Sequence, residues 1–129
     1  MLGKERKMNK NEIQISGAEE EIMRVLWSAD VPITAKDVCD TLKDKDWKYS
    51  TVATLFSRLE EKGAVTHEKR GRFFYYTPLI SEEVYRAQQT ESLISKLYNG
   101  SVKNLITALL STNPIPKDDL EEIKKKFDL

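Results

Sequence analysis

The sequence predicts a mainly α-helical fold with one small β-hairpin: a winged helix-turn-helix followed by a three-helix C-terminal dimerisation region. Three observations predict it. Three segments in the first half carry apolar residues at helical spacing. Two runs rich in β-branched and aromatic residues then follow around a glycine, and beyond Pro78 the pattern is helical again. Three short helices and a hairpin within about 65 residues outline a winged helix.

The length and composition indicate one small domain with an appended helical segment. The chain has 129 residues, 33% of them charged and 40% hydrophobic, and no apolar stretch near the ~20 residues that span a membrane. The opening residues are polar and lack a signal-peptide pattern, so we expect a disordered arm and a cytoplasmic protein. The predicted domains are 1–12 (the arm), 13–80 (the winged helix-turn-helix) and 81–129 (the helical dimerisation region).

The first two helices begin at similar cap signals. Ser16, with Glu19 three residues on, forms a capping-box pattern that predicts a first helix over roughly 16–28. Thr34 repeats this pattern and starts a short amphipathic second helix. The charged run EEEIMRVLW is interpreted as a solvated helix face.

The third helix lies in the stretch DWKYSTVATLFSRLEEKG. Lys48 and Tyr49 are poor N-caps, which favours Ser50 in that role, and Gly63 stands where a left-handed C-cap is needed. The helical spacing of the apolar residues predicts a buried stripe made of Val52, Leu55, Phe56 and Leu59.

The face opposite that stripe is small and neutral in a highly charged chain. Its hydroxyls can reach phosphates or base edges in a major groove, an alanine methyl can meet a thymine methyl, and acidic side chains would be repelled there. The alternatives are a plain protein contact or a weakly optimised surface. We interpret it as a DNA recognition face, formed by Ser50, Ala53, Thr54 and Ser57 with Thr51 and Arg58 at the flanks.

The hairpin is predicted from AVTHEK and RFFYYT, which flank a turn signal at Arg70 and Gly71. Residues 43–72 hold eight basic and five acidic residues, although the whole chain has a net charge of zero. We interpret the tip as a wing that contacts phosphate or the minor groove, the alternative being an ordinary solvated turn. The phosphate-binding cations are predicted to be Lys69, Arg70 and Arg72 at the tip, with Lys48 and Arg58 at the ends of the third helix.

Beyond Pro78, three helical runs follow. The first opens at Ser81 and breaks at Asn99 and Gly100, the second surrounds Leu105, and the third starts near Lys117. Their apolar faces are too wide for so small a unit to bury alone, which predicts a homodimer. The residues assigned to dimerisation are Leu93, Leu97, Val102, Leu105, Ile106, Leu109, Leu120, Ile123 and Phe127.

One cysteine and one histidine exclude most catalytic and metal chemistries. Cys39 falls on the buried stripe of the second helix, and His67 is interpreted as a strand surface residue. Trp27, Trp47 and the FFYY run are interpreted as core packing rather than as base-stacking platforms. We therefore predict that the chain is not an enzyme and that it has no catalytic residue, no metal ligand and no cofactor.

The chain resembles the penicillinase-repressor (BlaI/MecI) family of winged-helix transcriptional repressors, in ISGAEEEIMRVLW, DWKYSTVATLFSRLEEKGAV, YYTPLISEEVY and LYNGSVKNLI. The resemblance covers about residues 13–128 and keeps the order and spacing of these pieces. It implies a dimeric repressor that binds a dyad-symmetric operator of β-lactam resistance genes. Repression would be relieved when a membrane sensor metalloprotease triggers cleavage of the repressor in its C-terminal half. It also implies that the residues facing DNA are Ser50, Thr51, Ala53 and Thr54 of the third helix and the wing from Lys69 to Arg72.

Three features depart from the family pattern. The third helix starts with KYST rather than with a Ser-Pro cap. Relatives often have Arg or Gln where this chain has Ala53, which implies apolar or indirect readout there. The characterised cleavage bond is Asn-Phe, whereas the aligned position here reads Ala108 and Leu109. Copper-responsive relatives end in paired cysteines, but this chain has only Cys39, so copper sensing is not expected. A repressor of another stress regulon and a winged-helix protein-interaction module remain alternatives.

Overall fold

The computed structural model describes residues 12–129, in which 12–89 and 90–129 belong to two compact units. Most of the predicted N-terminal arm lies outside the described residues. The two-stranded hairpin and the six helices confirm the predicted fold class. The elements are α1 (Gly17–Ser28), α2 (Ala35–Thr41), α3 (Tyr49–Glu61), β1 (Val65–Arg70), β2 (Phe73–Pro78), α4 (Glu82–Tyr98), α5 (Val102–Thr112) and α6 (Lys117–Lys126), with a 3₁₀ turn at Lys43–Lys45 before α3. The unit division falls inside α4, and the predicted boundary between residues 80 and 81 stays a prediction.

The first two helices start at the predicted capping boxes. The Ser16 side chain accepts a hydrogen bond from the Glu19 N–H (3.2 Å), and the Glu19 carboxylate accepts one from the Ser16 N–H (2.9 Å). Thr34 and Asp37 make the same reciprocal pair at 2.9 and 3.1 Å. Both caps satisfy N–H groups that have no partner within the helix.

The core of residues 12–89 lies where α1, α2, α3 and the hairpin meet. Phe56 of α3 is fully buried and stacks on Tyr76 of β2, with ring centroids 3.9 Å apart. The Trp27 indole N–H donates to the Ile80 carbonyl (2.9 Å), and its ring lies 5.4 Å from that of Tyr85. The packing interpretation is therefore confirmed for Trp27 and Tyr76. For Phe73 and Phe74 of the FFYY run, which are 47% and 45% exposed, it was wrong.

Tyr85, in the first turn of α4, is fixed to α1 by a hydrogen bond. Its hydroxyl donates to the Glu20 carboxylate at 2.9 Å. Burial, together with this bond to an anion, raises the pKa of Tyr85 to about 12. The beginning of α4 thus belongs to the core of residues 12–89.

Glu19 shows that one part of EEEIMRVLW is not a solvated face. This side chain is 1% exposed and accepts a hydrogen bond from the Lys62 ammonium at 2.6 Å, so the interpretation of the whole run as solvated was wrong. Burial alone would raise the pKa of Glu19, but the bonds from Lys62 and Ser16 outweigh it and lower that pKa. The pair joins the start of α1 to the end of α3.

The strands β1 and β2 pair antiparallel from Val65–Pro78 to Arg70–Phe73. The turn is Gly71–Arg72, one residue later than predicted, because Arg70 still pairs with Phe73. Gly71 takes a φ of +65°, as the first central residue of a type II′ hairpin turn requires. Ile33 adds a short bridge to Tyr76, so the hairpin is anchored near its base.

Residues 90–129 contain the end of α4, α5 and α6. Asn99 and Gly100 both take left-handed conformations and end α4 where predicted. Neither α5 nor α6 contains a buried residue. Within residues 12–129, none of the helices has the length and apolar character needed to cross a bilayer.

Candidate nucleic-acid interface

The start of α3 has no side-chain cap. Lys48 is the N-cap residue and makes no capping hydrogen bond, and the first turn holds no acidic residue. Ser50 lies inside the helix, so its predicted cap role was wrong. The first N–H groups of α3, which carry partial positive charge, are therefore left without a capping side chain.

The faces of α3 are divided largely as predicted. Val52, Leu55, Phe56 and Leu59 are buried, at 0–6% exposure. Ala53 is half-buried rather than on the open face, because it lies at the flank of the buried stripe. The exposed predicted contacts are Lys48, Ser50, Thr51, Thr54, Ser57 and Arg58.

The Thr54 hydroxyl is already engaged as a donor. It donates to the Ser50 carbonyl one turn earlier, at 2.9 Å. Thr54 is thus left with a methyl group and acceptor capacity toward a ligand. Such a side chain suits a thymine methyl or the amino group of adenine or cytosine better than it suits a phosphate oxygen.

The hairpin tip carries the three predicted cations, all exposed. The Arg70 guanidinium lies 3.3 Å from the Glu68 carboxylate and 5.0 Å from the centre of the Tyr75 ring, which holds it along the strand. Lys69 and Arg72 take part in no ion pair within the described residues. The tip therefore offers two cations that are not neutralised locally and a third that is partly restrained.

Sequence reasoning missed several exposed side chains beside this surface. Tyr49 is 59% exposed in the first turn of α3, one turn before Ala53, and Phe73 is 47% exposed at the hairpin tip. Lys43 is exposed in the 3₁₀ turn before α3, whereas Lys45 there pairs with Glu21 at 3.3 Å. The position of Tyr49 four residues before Ala53 could have indicated this neighbourhood.

The lone cysteine and the lone histidine have structural surroundings. Cys39 is half-buried against the core as predicted, and burial together with Asp40 raises the pKa of its thiol. His67 is half-buried and contacts the Glu60 carboxylate at 2.7 Å, so it is not a plain surface residue.

A second predicted surface lies on the C-terminal helices. Among the residues assigned to dimerisation, Leu105 and Leu120 are half-buried. The others are 40–67% exposed in the single chain: Leu93, Leu97, Val102, Ile106, Leu109, Ile123 and Phe127. These side chains leave an apolar surface that residues 90–129 do not cover by themselves.

Comparison with known proteins identifies the family of this chain. The family model described as "Penicillinase repressor" matches residues 15–128. The chain belongs to the penicillinase repressor family. This is a family of DNA-binding transcriptional repressors and not of enzymes, which confirms the resemblance seen in the sequence and the prediction that the chain is not an enzyme.

Individual relatives agree with this assignment. The penicillinase repressor of Bacillus licheniformis is 33% identical over 85% of this chain and 86% of its own length. The methicillin resistance regulatory protein MecI of Staphylococcus aureus (strain N315) is 26% identical over 91% of this chain and 95% of its own. The solution structure of the DNA binding domain of the repressor BlaI is 43% identical and covers 57% of this chain and 90% of that domain, with a TM-score of 0.52.

Proposed function

We propose that this chain is a homodimeric, sequence-specific repressor that binds dyad-symmetric operators of β-lactam resistance genes in the cytoplasm. The observation that carries the proposal is the exposed face of α3. From Tyr49 to Arg58 that helix has no acidic residue, its N-terminus is uncapped, and the cations Lys48 and Arg58 stand at its two ends. A helix of this kind can enter the major groove without repelling phosphate.

The hairpin would act as the wing. Lys69 and Arg72 would neutralise phosphates beside the site of α3, and each neutralised phosphate would make binding more dependent on salt. Arg70, restrained by Glu68 and Tyr75, would contribute less. Thr54 and Ala53 would face base edges, where they offer methyl groups and one acceptor.

A second copy of the chain would cover the apolar surface of residues 90–129. Helices whose apolar residues are 40–67% exposed gain stability when an identical copy packs against them. A dimer also makes the second half-site contact effectively intramolecular, so operator affinity would depend on dimerisation. Two heads would address half-sites about one helical turn apart, or a small multiple of it.

Relief of repression would follow from cutting α5, with a membrane sensor metalloprotease as the partner that triggers the cut. The candidate bond joins Ala108 and Leu109 in the middle of this helix, where the Thr112 hydroxyl donates to the Ala108 carbonyl at 2.9 Å. This helical turn would have to unwind to expose the bond. Cleavage would separate Leu109 and all of α6 from the rest of the dimer surface.

The link to β-lactam resistance is supported by the names of the relatives, a penicillinase repressor and a methicillin resistance regulator. A footprint beside a β-lactamase gene or a sensor protease gene would support this regulon. A footprint beside unrelated genes would leave the proposed repressor function unchanged but would show that the protein regulates other genes.

The test is a gel shift with the DNA upstream of the protein's own gene. Thr54→Glu should weaken binding at least about 100-fold, because it places a carboxylate against the groove. Ser28→Glu, which adds the same charge at the exposed end of α1, should change binding less than about threefold. Both variants should remain dimers in sedimentation. A Thr54→Glu dimer that binds as tightly as Ser28→Glu would contradict the recognition-helix assignment, and a wild-type protein that leaves the DNA unshifted would favour a protein-interaction module.

A further inference from the structure

The last turn of α3 is joined to the first strand of the hairpin by a side-chain hydrogen bond. Glu60 Oε1 and His67 Nδ1 lie 2.7 Å apart, and both side chains are half-buried. A carboxylate oxygen accepts, so Nδ1 of the imidazole is the donor in this pair. The bond connects the proposed recognition helix directly to the proposed wing.

The imidazole also takes part in a row of rings that leads from the core toward the hairpin tip. Phe56 stacks on Tyr76 at 3.9 Å, the His67 ring lies 5.5 Å from Tyr76, and Phe74 follows 4.5 Å from His67. Tyr76 is 7% exposed, but Phe74 is 45% exposed. Burial therefore ends at the level of His67.

Beyond this level the hairpin has little to hold it in place. The next cross-strand pair toward the tip is Glu68–Tyr75, in which Glu68 is exposed and Tyr75 half-buried, and both residues of the following pair, Lys69–Phe74, are exposed. An isolated two-stranded ribbon is only marginally stable. Within residues 12–129, the Glu60–His67 pair is the side-chain contact between α3 and the hairpin that lies nearest the tip, so the direction of the tip relative to α3 depends on it.

We propose that the Glu60–His67 hydrogen bond sets the angle between α3 and the hairpin so that Lys69 and Arg72 reach phosphates while α3 occupies the major groove. Glu60 and His67 are then positioning residues for DNA binding. Neither needs to touch DNA. This inference rests on the proposed function, since it concerns the placement of the two surfaces that the function uses.

Removal of the Glu60 carboxylate should have opposite effects on DNA affinity if the residue positions the wing and if only its charge matters. A carboxylate beside a DNA site repels phosphate, so its removal should strengthen binding if charge alone matters. If the carboxylate positions the wing, its removal should weaken binding instead. Glu61, the next residue, is exposed and provides a control with the same charge on the same helix turn.

The experiment measures the affinity of the full-length protein for its own upstream DNA over a series of salt concentrations. Glu60→Ala should weaken binding about three- to tenfold, the value of one hydrogen bond, and lower the salt slope by about 1 for each phosphate that the wing no longer neutralises. Glu61→Ala should bind as tightly as the wild type or more tightly. His67→Phe, which keeps a ring against Phe74 and Tyr76 but removes the donor, should behave like Glu60→Ala.

Double-mutant cycles identify the wing as the target of the effect. His67→Phe combined with Arg72→Ala should cost less than the sum of the two single changes, because the misplaced wing no longer brings Arg72 to its phosphate. His67→Phe combined with Lys48→Ala should be additive, since Lys48 lies at the other end of α3.

Three results would overturn the inference. One is a Glu60→Ala protein that binds as tightly as Glu61→Ala. Another is a His67→Phe protein with lower thermal stability but unchanged affinity and salt slope, which would indicate a purely structural bond. The third is additivity with both Arg72→Ala and Lys48→Ala. If Glu60→Ala fails to fold, the double-mutant cycles of His67→Phe with Arg72→Ala and with Lys48→Ala test the inference without it. A wild-type protein that does not bind DNA would remove the proposed function and this inference together.

Discussion

The units of residues 12–89 and 90–129 differ most in how they bury their apolar side chains. In the first, Ile22, Val52 and Phe56 are fully buried, and fifteen residues form one core cluster. In the second, Leu97 is 67% and Phe127 63% exposed, and α5 and α6 have no buried residue. The first unit therefore has a core of its own, whereas the apolar side chains of α5 and α6 stay exposed or half-buried. We expect the two to respond to different variables: core mutations for the first, and protein concentration for the second.

The largest expected effect is a core deletion in the first unit. Phe56→Ala removes a fully buried ring that stacks on Tyr76 and should lower the free energy of unfolding by about 3–5 kcal/mol. Trp27 and Trp47, the two tryptophans of the chain, both lie in this unit, so their fluorescence during urea unfolding reports on it. Phe127→Ala, at an exposed ring of the second unit, should change this transition by less than about 0.5 kcal/mol. Equal losses in the two variants would contradict the separation of the units.

The next effect concerns association. Ile106→Asp places a carboxylate within the exposed apolar face of α5, and in a dimer that charge would be desolvated without a partner. We expect a loss of about 2–3 kcal/mol, which raises the dimer dissociation constant roughly 30- to 150-fold. Sedimentation equilibrium measures it, and the tryptophan-detected unfolding should be unchanged at concentrations where both proteins are monomers. An Ile106→Asp dimer as tight as the wild type would mean that the second copy packs elsewhere.

A smaller effect, confined to the first unit, depends on pH through Glu19. Its pKa is lower in the folded chain than in the unfolded one, so its contribution to stability is complete above about pH 4.3 and is lost as the pH falls through the folded pKa. Glu19→Gln should cost about 1–2 kcal/mol at pH 7, and the difference from the wild type should shrink below about pH 4. Urea unfolding at several pH values measures this. Glu61→Gln, at an exposed carboxyl of the same unit, is the control for the loss of one negative charge. A constant cost of Glu19→Gln from pH 7 to pH 3 would contradict the role of the ionised pair.

The smallest effect concerns base readout by α3. Because the Thr54 hydroxyl donates to Ser50, its methyl group remains available for a thymine methyl. Replacing thymine by deoxyuridine in the protected half-sites should weaken wild-type binding about threefold, by roughly 0.5–0.8 kcal/mol for one methyl contact. Thr54→Ser, which keeps the hydroxyl but lacks the methyl, should lose little on the same replacement. Equal losses for both proteins would assign the methyl contact to another residue.

Local patterns in the sequence were sufficient for the elements and for most of the proposed interface. The capping boxes at Ser16 and Thr34 and the buried stripe of α3 follow from spacing within one or two helical turns, and the structure has them as predicted. Helical spacing also gave the right exposure for Ser50 and Thr54, but Ala53, at the flank of the stripe, was placed too far toward solvent.

Contacts between distant residues could not be predicted in this way. Glu19 and Lys62 are 43 positions apart, and nothing in the run EEEIMRVLW distinguishes the buried glutamate from its solvated neighbours. The contact of Glu60 with His67 depends on how the chain turns back after Gly63, which a period of 3.6 or 2 does not specify. The cap at Lys48 was missed because intrinsic N-cap preference favours serine, whereas α3 begins after Lys48 without any capping side chain.

The most direct test of the proposed division between a DNA-reading unit and a dimerising unit is a footprint of the DNA upstream of the gene. We predict that the wild-type protein protects two symmetric half-sites, that Thr54→Glu protects neither although it remains a dimer, and that Ile106→Asp needs at least about tenfold more protein for the same protection although its first unit is folded. Protection by Ile106→Asp at wild-type concentrations, or a single unsymmetric protected site with the wild type, would contradict this account.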